Sequence, residues 1–277
     1  LKVHFNMVRF VHIRYGAGMS AQQKKTGPGP TTHFGFSTVP AAAKAGLVRG
    51  VFDAVADRYD LMNDLMSLFV HRLWKAAMID ALDPRPGMTF LDVAGGTGDI
   101  AFRILERVRK RGGEARIVVA DINTEMLRVG RNRALDKGIA EALEWMCLDA
   151  QEMPLPDRSV DAYTIAFGLR NVTDVPRALA EARRVLKPGG RFLCLEFSRV
   201  VLPLLDRAYD AYSFKVLPLM GKVVADNPDA YRYLAESIRK FPPQEELAEL
   251  MKSAGFANVG FANYSGGIAA LHSGRRI

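Results

Sequence analysis

LDVAGGTGDIA, residues 91–101, is the stretch whose reading decides the fold. It closes a short apolar run (TFLDVAG), passes through Gly95, Gly96 and Gly98, and opens an amphipathic pattern, DIAFRILERVRKRG. An apolar run, a glycine turn and a helical period in that order describe a buried strand feeding a helix. Backbone without Cβ lets a ligand come close, and a helix amino end offers free N–H groups. The spacing Gly96-x-Gly98-x-x-Ala101 also fits a dinucleotide-binding turn, so the loop by itself names no ligand.

Reading outward, the alternation repeats. ARIVVADI is a second strand, NTEMLRVGRNRALDKG a second helix, LEWMCLD a third strand and SVDAYTIAFG a fourth. VPRALAEARRVLK is then a helix and GRFLCLEFS a fifth strand. Strands and helices alternating at this spacing predict an α/β fold with a doubly wound, mostly parallel sheet. Upstream, residues 41–81 carry apolar positions at helical spacing, and PRPG (84–87) ends them. Downstream, EELAELMKSAGF is helical, and ANVGFANYSGG with IAALHSGRR predicts an antiparallel hairpin at the sheet's edge.

The bulk composition bounds the function. At 277 residues, 49% hydrophobic and 25% charged, the chain has the make-up of an ordinary globular protein. Cys147 and Cys194 both fall in apolar runs, which predicts buried free thiols, and no His/Cys cluster has metal-ligand spacing. A net charge of +8 and a pI near 9.6 suggest a polyanionic neighbour, nucleic acid or an anionic membrane surface. No nucleic-acid module is evident. The longest apolar stretch, 200–224, is broken by Asp206, Arg207, Asp210, Lys215 and two prolines, so it does not span a bilayer. Residues 1–31 are expected to lie outside the fold, as an extended reading frame ahead of Met19 or a basic, acid-free presequence.

Three acids near strand ends add chemistry to the loop. Asp92 stands just before it, where an amino-acid ammonium or a water network uses a carboxylate. Asp121 ends the second strand, where a carboxylate can chelate a ribose diol. Asp149-Ala150 ends the third, where an acid can accept from an adenine amino group and the Ala150 N–H can reach a ring nitrogen. Asp121 suits a nicotinamide-dependent oxidoreductase equally, whereas Asp92 favours S-adenosylmethionine. With RVLKPGGRF (184–192) before the fifth strand, the set resembles a class I S-adenosylmethionine-dependent methyltransferase, with its Rossmann-like sheet.

Longer motifs carry a narrower resemblance. THFGFSTVP (32–40), VFDAVADRYDLMNDLMS (51–67), HRLWK (71–75), FGLRNVTD (167–174), YDAYSFKVLP (209–218) and YRYLAESIRKFP (231–242) resemble the ubiquinone/menaquinone C-methyltransferase family, the UbiE type, over 32–277. The resemblance implies one methyltransferase domain: a helical cap at 32–83, a cofactor-binding core at 84–198, a substrate-side insertion at 199–245, and a helix and hairpin at 246–277. It implies methyl transfer to a ring carbon of a polyprenylated quinol, with S-adenosylmethionine contacts at Thr97, Asp121, Asp149 and Ala150. Ala166 stands where some members have serine, so a hydroxyl is lost there, and Ala94 stands where the wider superfamily has glycine.

The chemistry wants a phenolate beside the reacting carbon, hence a base or a cation near the quinol oxygen. Arg170 and Asn171, in the loop after the fourth strand, and Tyr59, from the amino-terminal helices, are the candidates. Arg170 suits charge stabilisation better than direct proton abstraction. The plainer alternatives are an ion pair with a helix acid for Arg170, a local turn for Asn171 and helix packing for Tyr59. Thr173 or Asp174 reads as the next helix's N-cap, and His71 with Trp74 as packing. Tyr209, Tyr212 and Phe214 would suit an isoprenoid tail or a core equally. No metal and no nucleic acid are expected. The expected setting is peripheral to the inner membrane on its cytoplasmic side, or its mitochondrial matrix face if a presequence is present, with a quinone-biosynthesis complex as a companion.

Overall fold

The computed structural model describes residues 29–53, 64, 67, 69–201, 212 and 228–277. Its centre is a seven-stranded sheet: β3 (Thr89–Val93), β4 (Arg116–Asp121), β5 (Glu144–Cys147), β6 (Val160–Ala166), β7 (Leu186–Phe197), β8 (Ala257–Tyr264) and β9 (Ala269–Arg275). A two-stranded hairpin, β1 (Thr31–Phe34) and β2 (Ser37–Pro40), stands apart. The sheet order is β5-β4-β3-β6-β7-β9-β8, and the first five strands in that order pair in parallel. The chain moves outward from β3 through β4 and β5, then crosses back to lay β6 against the other side of β3. That reversal opens a crevice at the carboxyl ends of β3 and β6, where ligands of such sheets bind.

Both faces of the sheet are covered, which explains why its strands read as continuous apolar runs. Phe90, Ile117, Val119, Ala162, Leu193 and Leu195 face one apolar layer with Trp74, Ile104 and Val108. Their neighbours Leu91, Val118, Ala120, Tyr163, Phe192 and Cys194 face the other, with Leu179, Ala182 and Met251. Alternation by two along each strand therefore builds two cores. The first layer is closed by α2 (His71–Leu82) and α3 (Asp99–Lys110), the second by α5 (Val175–Val185) and α7 (Gln244–Ser253). The remaining helices are α1 (Ala41–Asp53), α4 (Thr124–Asp136) and α6 (Pro228–Lys240).

Several expectations shift. Within the helical pattern at 41–81 the described residues form α1 and α2, with 64 and 67 also helical, and Phe69 at φ 65° interrupts the pattern just before α2. THFGFSTVP is a hairpin, and α6 is a helix within the stretch expected as an insertion. The carboxyl-terminal pair is antiparallel as expected, but β9 lies inside the sheet, antiparallel to both β7 and β8, and β8 takes the edge. LKPGG does not precede the fifth strand; Leu186 already pairs with Val160, and pairing resumes at Arg191 with Ala162, so Lys187–Gly190 loop out as a bulge. Cys194 is buried, but Cys147 is exposed because β5 is the other edge strand. Asp174 is the N-cap of α5, accepting from the Arg177 amide at 3.0 Å.

Candidate active site

The crevice above β3 and β6 becomes a cleft walled by the glycine loop, the ends of β4 and β6, the turn after β5, and residues of α1 and α2. Of the sequence candidates, Asp92, Gly95, Gly96, Thr97, Asp121, Asp149, Ala150, Ala166 and Asn171 all line it. Gly98 does not. It is the N-cap of α3 at φ 84°, and a Cβ there would come within 3.0 Å of Phe102 and Trp145, so glycine lets the turn pack rather than admit the ligand. Ala94 takes φ 51°, a left-handed geometry that normally falls to glycine. Its methyl is accommodated by Gly168 opposite, where a Cβ would stand 2.3 Å from that of Ala94.

The carboxylates are prepared differently. Asp92 Oδ1 accepts from the Thr164 hydroxyl at 2.8 Å, while Oδ2 has no hydrogen-bond partner among the described residues. Burial pushes the Asp92 carboxyl up to about 7, against the pull of Thr164, Lys75 and, most weakly, the Ala101 amide; the charge of Asp99 adds to the rise. Asp121 is pushed up to about 6 by burial, although the amides of Asn123 (2.8 Å) and Gly96 (2.9 Å) hold its two oxygens. Asp149 accepts from the amide of Gln151 at 2.8 Å, and its carboxylate is further held by the Gln151 side chain.

At the Asp92 end stands an ion pair absent from the sequence candidates. Lys75, from α2, donates to Asp99 Oδ2 at 2.8 Å, and its ammonium lies 5.9 Å from the centre of the Phe167 ring. Burial alone would raise Asp99, but Lys75 and Arg103 overcome it and hold the carboxyl at about 2.

These donors and acceptors fit S-adenosylmethionine. Asp92 offers an acceptor without a hydrogen-bond partner among the described residues, of the kind an ammonium needs; the Asp121 carboxylate after β4 has the chemistry to accept from a ribose diol, and Asp149 with Ala150 after β5 that to meet an adenine edge. The acidic lining, four aspartates against Arg49 and Lys75, suits a sulfonium cation. Among the described residues no group of three or more His, Cys, Asp or Glu could hold a metal.

Arg170 is placed otherwise than expected. Its side chain is fully buried, 2.6 Å from Glu196 on β7, and it donates to the Phe167 carbonyl, so the guanidinium lies under the loop rather than in the cleft. The partner acid comes from a strand, not from a helix. Burial pushes the Glu196 carboxyl up, with Arg170 pulling against it. Asn171 does reach the cleft, and its Oδ1 accepts from the Tyr233 hydroxyl of α6 at 2.9 Å. Tyr233, whose hydroxyl burial pushes up to about 12, stacks on Phe34 with ring centres 4.3 Å apart. Tyr59, Tyr209 and Phe214 lie outside the described residues, and Tyr212 packs beside the first core layer. His71 is buried against Asp64 at 2.8 Å and kept neutral, near 4, first by burial and then by Lys75; Trp74 packs on Phe167 and Phe197. Both therefore serve the packing of α2.

Tyr233 and Lys75 were within reach of the sequence, in motifs quoted for the resemblance (YRYLAESIRKFP and HRLWK), but nothing local assigns them a task. Only the docking of α6 and α2 on the sheet does.

Comparisons with known proteins agree with this geometry. A protein from Brucella abortus described as ubiquinone/menaquinone biosynthesis C-methyltransferase UbiE is 54% identical over 262 residues, covering 94% of this chain and 96% of the relative. One from Brucella anthropi with the same description is 56% identical over 246 residues, covering 88% and 92%. Among solved structures, a SAM-dependent methyltransferase of Thermotoga maritima superposes with a TM-score of 0.56 at 20% identity, over 82% of this chain and 99% of its own. One from Aquifex aeolicus gives 0.53 at 18% identity, over 73% and 89%. These two share the fold. The family model described as the ubiE/COQ5 methyltransferase family matches residues 40–276, and on that match and those relatives the chain belongs to that family.

Proposed function

We propose that this enzyme transfers the methyl group of S-adenosylmethionine to a ring carbon of a polyprenylated quinol in ubiquinone or menaquinone biosynthesis. The acceptor is demethylmenaquinol, giving menaquinol, or a methoxy-polyprenyl-benzoquinol, giving its ring-methylated product, or both. The observation that carries this reading is identity of 54% over 94% of the chain with proteins so described. The cleft supports it, since its lining combines the Asn171 amide with apolar walls from Val48, Phe52, Phe167 and Val172.

The sulfonium supplies an already activated methyl. What the protein must do is position the ring in line, exclude water and hold the quinol oxygen as it gains negative charge. As the ring carbon–methyl bond forms, the carbon–sulfur bond breaks, S-adenosylhomocysteine departs, and loss of the ring proton restores aromaticity. Asn171 is the group we assign to the quinol oxygen. With Oδ1 engaged by Tyr233, its Nδ2 is left to donate. Arg170 serves from beneath as a positioning residue, locking the loop through Glu196 and the Phe167 carbonyl. Tyr59 is the remaining candidate for a hydroxyl on the acceptor side.

The excess positive charge, +8, suits peripheral association with an anionic leaflet from which the lipid is drawn, on the cytoplasmic face of the inner membrane in a bacterial setting. No helix of the described residues is long and apolar enough to cross a membrane. The test is complementation of a strain lacking this methylation, with quinone extraction and mass spectrometry. Recovery of the methylated quinone is the expected result. Persistent accumulation of the unmethylated quinone, with the protein expressed, would sink the assignment.

A further inference from the structure

We propose that Lys75 is the receptor for the α-carboxylate at the amino-acid end of S-adenosylmethionine, opposite Asp92, which takes the α-ammonium. This rests on S-adenosylmethionine as methyl donor and is independent of which quinol accepts the methyl.

Lys75 is a costly residue to place where it is. Its side chain is 5% exposed, and a buried ammonium needs anionic partners. Asp99 supplies one, but shares its carboxylate, giving Oδ2 to Lys75 at 2.8 Å and Oδ1 to Arg103 at 3.0 Å. An ammonium carries three donors. The pair with Asp99 uses one, on a residue whose charge is already divided between two cations.

Position specifies the ligand's part. Lys75 pairs with Asp99 at the start of α3, directly after the loop that Asp92 enters from β3, while Asp121 and Asp149-Ala150 follow β4 and β5, farther along the sheet, and all of them line the cleft. A zwitterionic amino acid presents one anion and one cation, and Asp92 and Lys75 offer an orphaned carboxylate oxygen and a buried ammonium. Arg49, the other cation of the lining, is exposed on α1. The amino end of α3, which begins at Asp99, adds a favourable field for a carboxylate. The cap helix α2 is thereby tied to the cofactor it covers.

Isothermal titration with two ligands separates this role from mere neutralisation of Asp99. S-adenosylhomocysteine carries the amino-acid end, and 5′-methylthioadenosine lacks it. In Lys75→Met, S-adenosylhomocysteine should bind about 10–100-fold more weakly, the loss of one charge-assisted hydrogen bond, with 5′-methylthioadenosine unchanged. Lys75→Arg should recover part of the loss. Asp99 keeps Arg103 in either variant, and unaltered binding of 5′-methylthioadenosine reports an intact cleft. Equal weakening of both ligands would overturn the proposal, because Lys75 would then only hold the cleft's shape. Unchanged affinity for both would overturn it too. Normal S-adenosylhomocysteine binding without methyl transfer to any quinol would instead overturn the acceptor assignment alone.

Discussion

Asp92 carries a proton at a pH where most carboxyls have lost theirs, and that ties methyl-donor binding to pH. Its carboxyl sits at about 7, whereas the ammonium it serves requires the charged form. Below that value the site must first give up a proton; above it the site is ready. With the donor's α-amino group still protonated, affinity should rise about fivefold between pH 6 and pH 7. Titration calorimetry in buffers of different ionisation enthalpy should show proton release on binding at pH 6.5. Asp92→Asn should bind more weakly and lose most of that dependence, leaving the smaller share from Asp121 near 6. A flat affinity profile in the unaltered protein would contradict the role given to Asp92. At this scale the sequence was most informative where one short loop holds the residues together. Asp92, Gly96, Thr97 and Asp121 sit at the ends of strands that can be read from their apolar runs. Lys75 comes from the helix just before β3 but meets the site only through the docking of α2, Tyr233 comes from a helix 62 residues beyond Asn171, and Arg170 was drawn aside by Glu196, whose placement on β7 next to the loop is a product of sheet order.

Among the elements, the β1–β2 hairpin has a use that its size conceals. Gly35, at φ 58°, brings the turn against α6, where a Cβ would lie 2.3 Å from Glu236 Oε2, and the Phe36 amide donates to that same oxygen at 3.0 Å. The hairpin thus grips α6, Phe34 stacks on Tyr233, and Tyr233 fixes Asn171. Tyr233→Phe keeps the stack and removes only the hydroxyl. Its kcat should fall roughly five- to tenfold, the worth of one hydrogen bond of about 1 kcal/mol or slightly more, while affinity for S-adenosylhomocysteine stays unchanged. Unaltered kcat would show that Asn171 needs no such support. The hairpin went unread, since 32–83 was expected to be helical, although a two-residue Gly35-Phe36 turn between runs rich in threonine, phenylalanine and valine carries the signal for it. The turn at Phe69 before α2 was equally hidden, because the apolar period runs on through it and nothing as strong as proline marks the break.

At the scale of the molecule, charge and topology point in different directions. The chain is basic, yet its cleft is lined by more acids than bases, so the surface field and the field inside the site answer to different partners. The parallel half of the sheet follows from strand–helix alternation. The placement of β9 does not, because a hairpin read from sequence can dock by either of its strands. β9 bonds to β7 on one side and β8 on the other, and β8 joins the sheet through it. Removing residues 269–277 should therefore abolish cooperative thermal unfolding, whereas removing the separate hairpin by starting at residue 41 should lower Tm and leave a folded core. Circular dichroism melts of the two truncations check this, and a cooperative melt in the first would refute the central role of β9.

The interior position of β9 also sets a clock for the nascent chain. When β7 leaves the ribosome, one of its edges has no partner, and the strand that will cover it is about 70 residues away. At roughly 5–20 residues per second that wait is about 4–14 s. During it, a long apolar strand with unpaired N–H and C=O groups is open to pairing with other chains. Slow codons downstream of β7, or a shortage of chaperones that shield bare strands, should accordingly cost this protein more yield than one whose last strand adds at the margin.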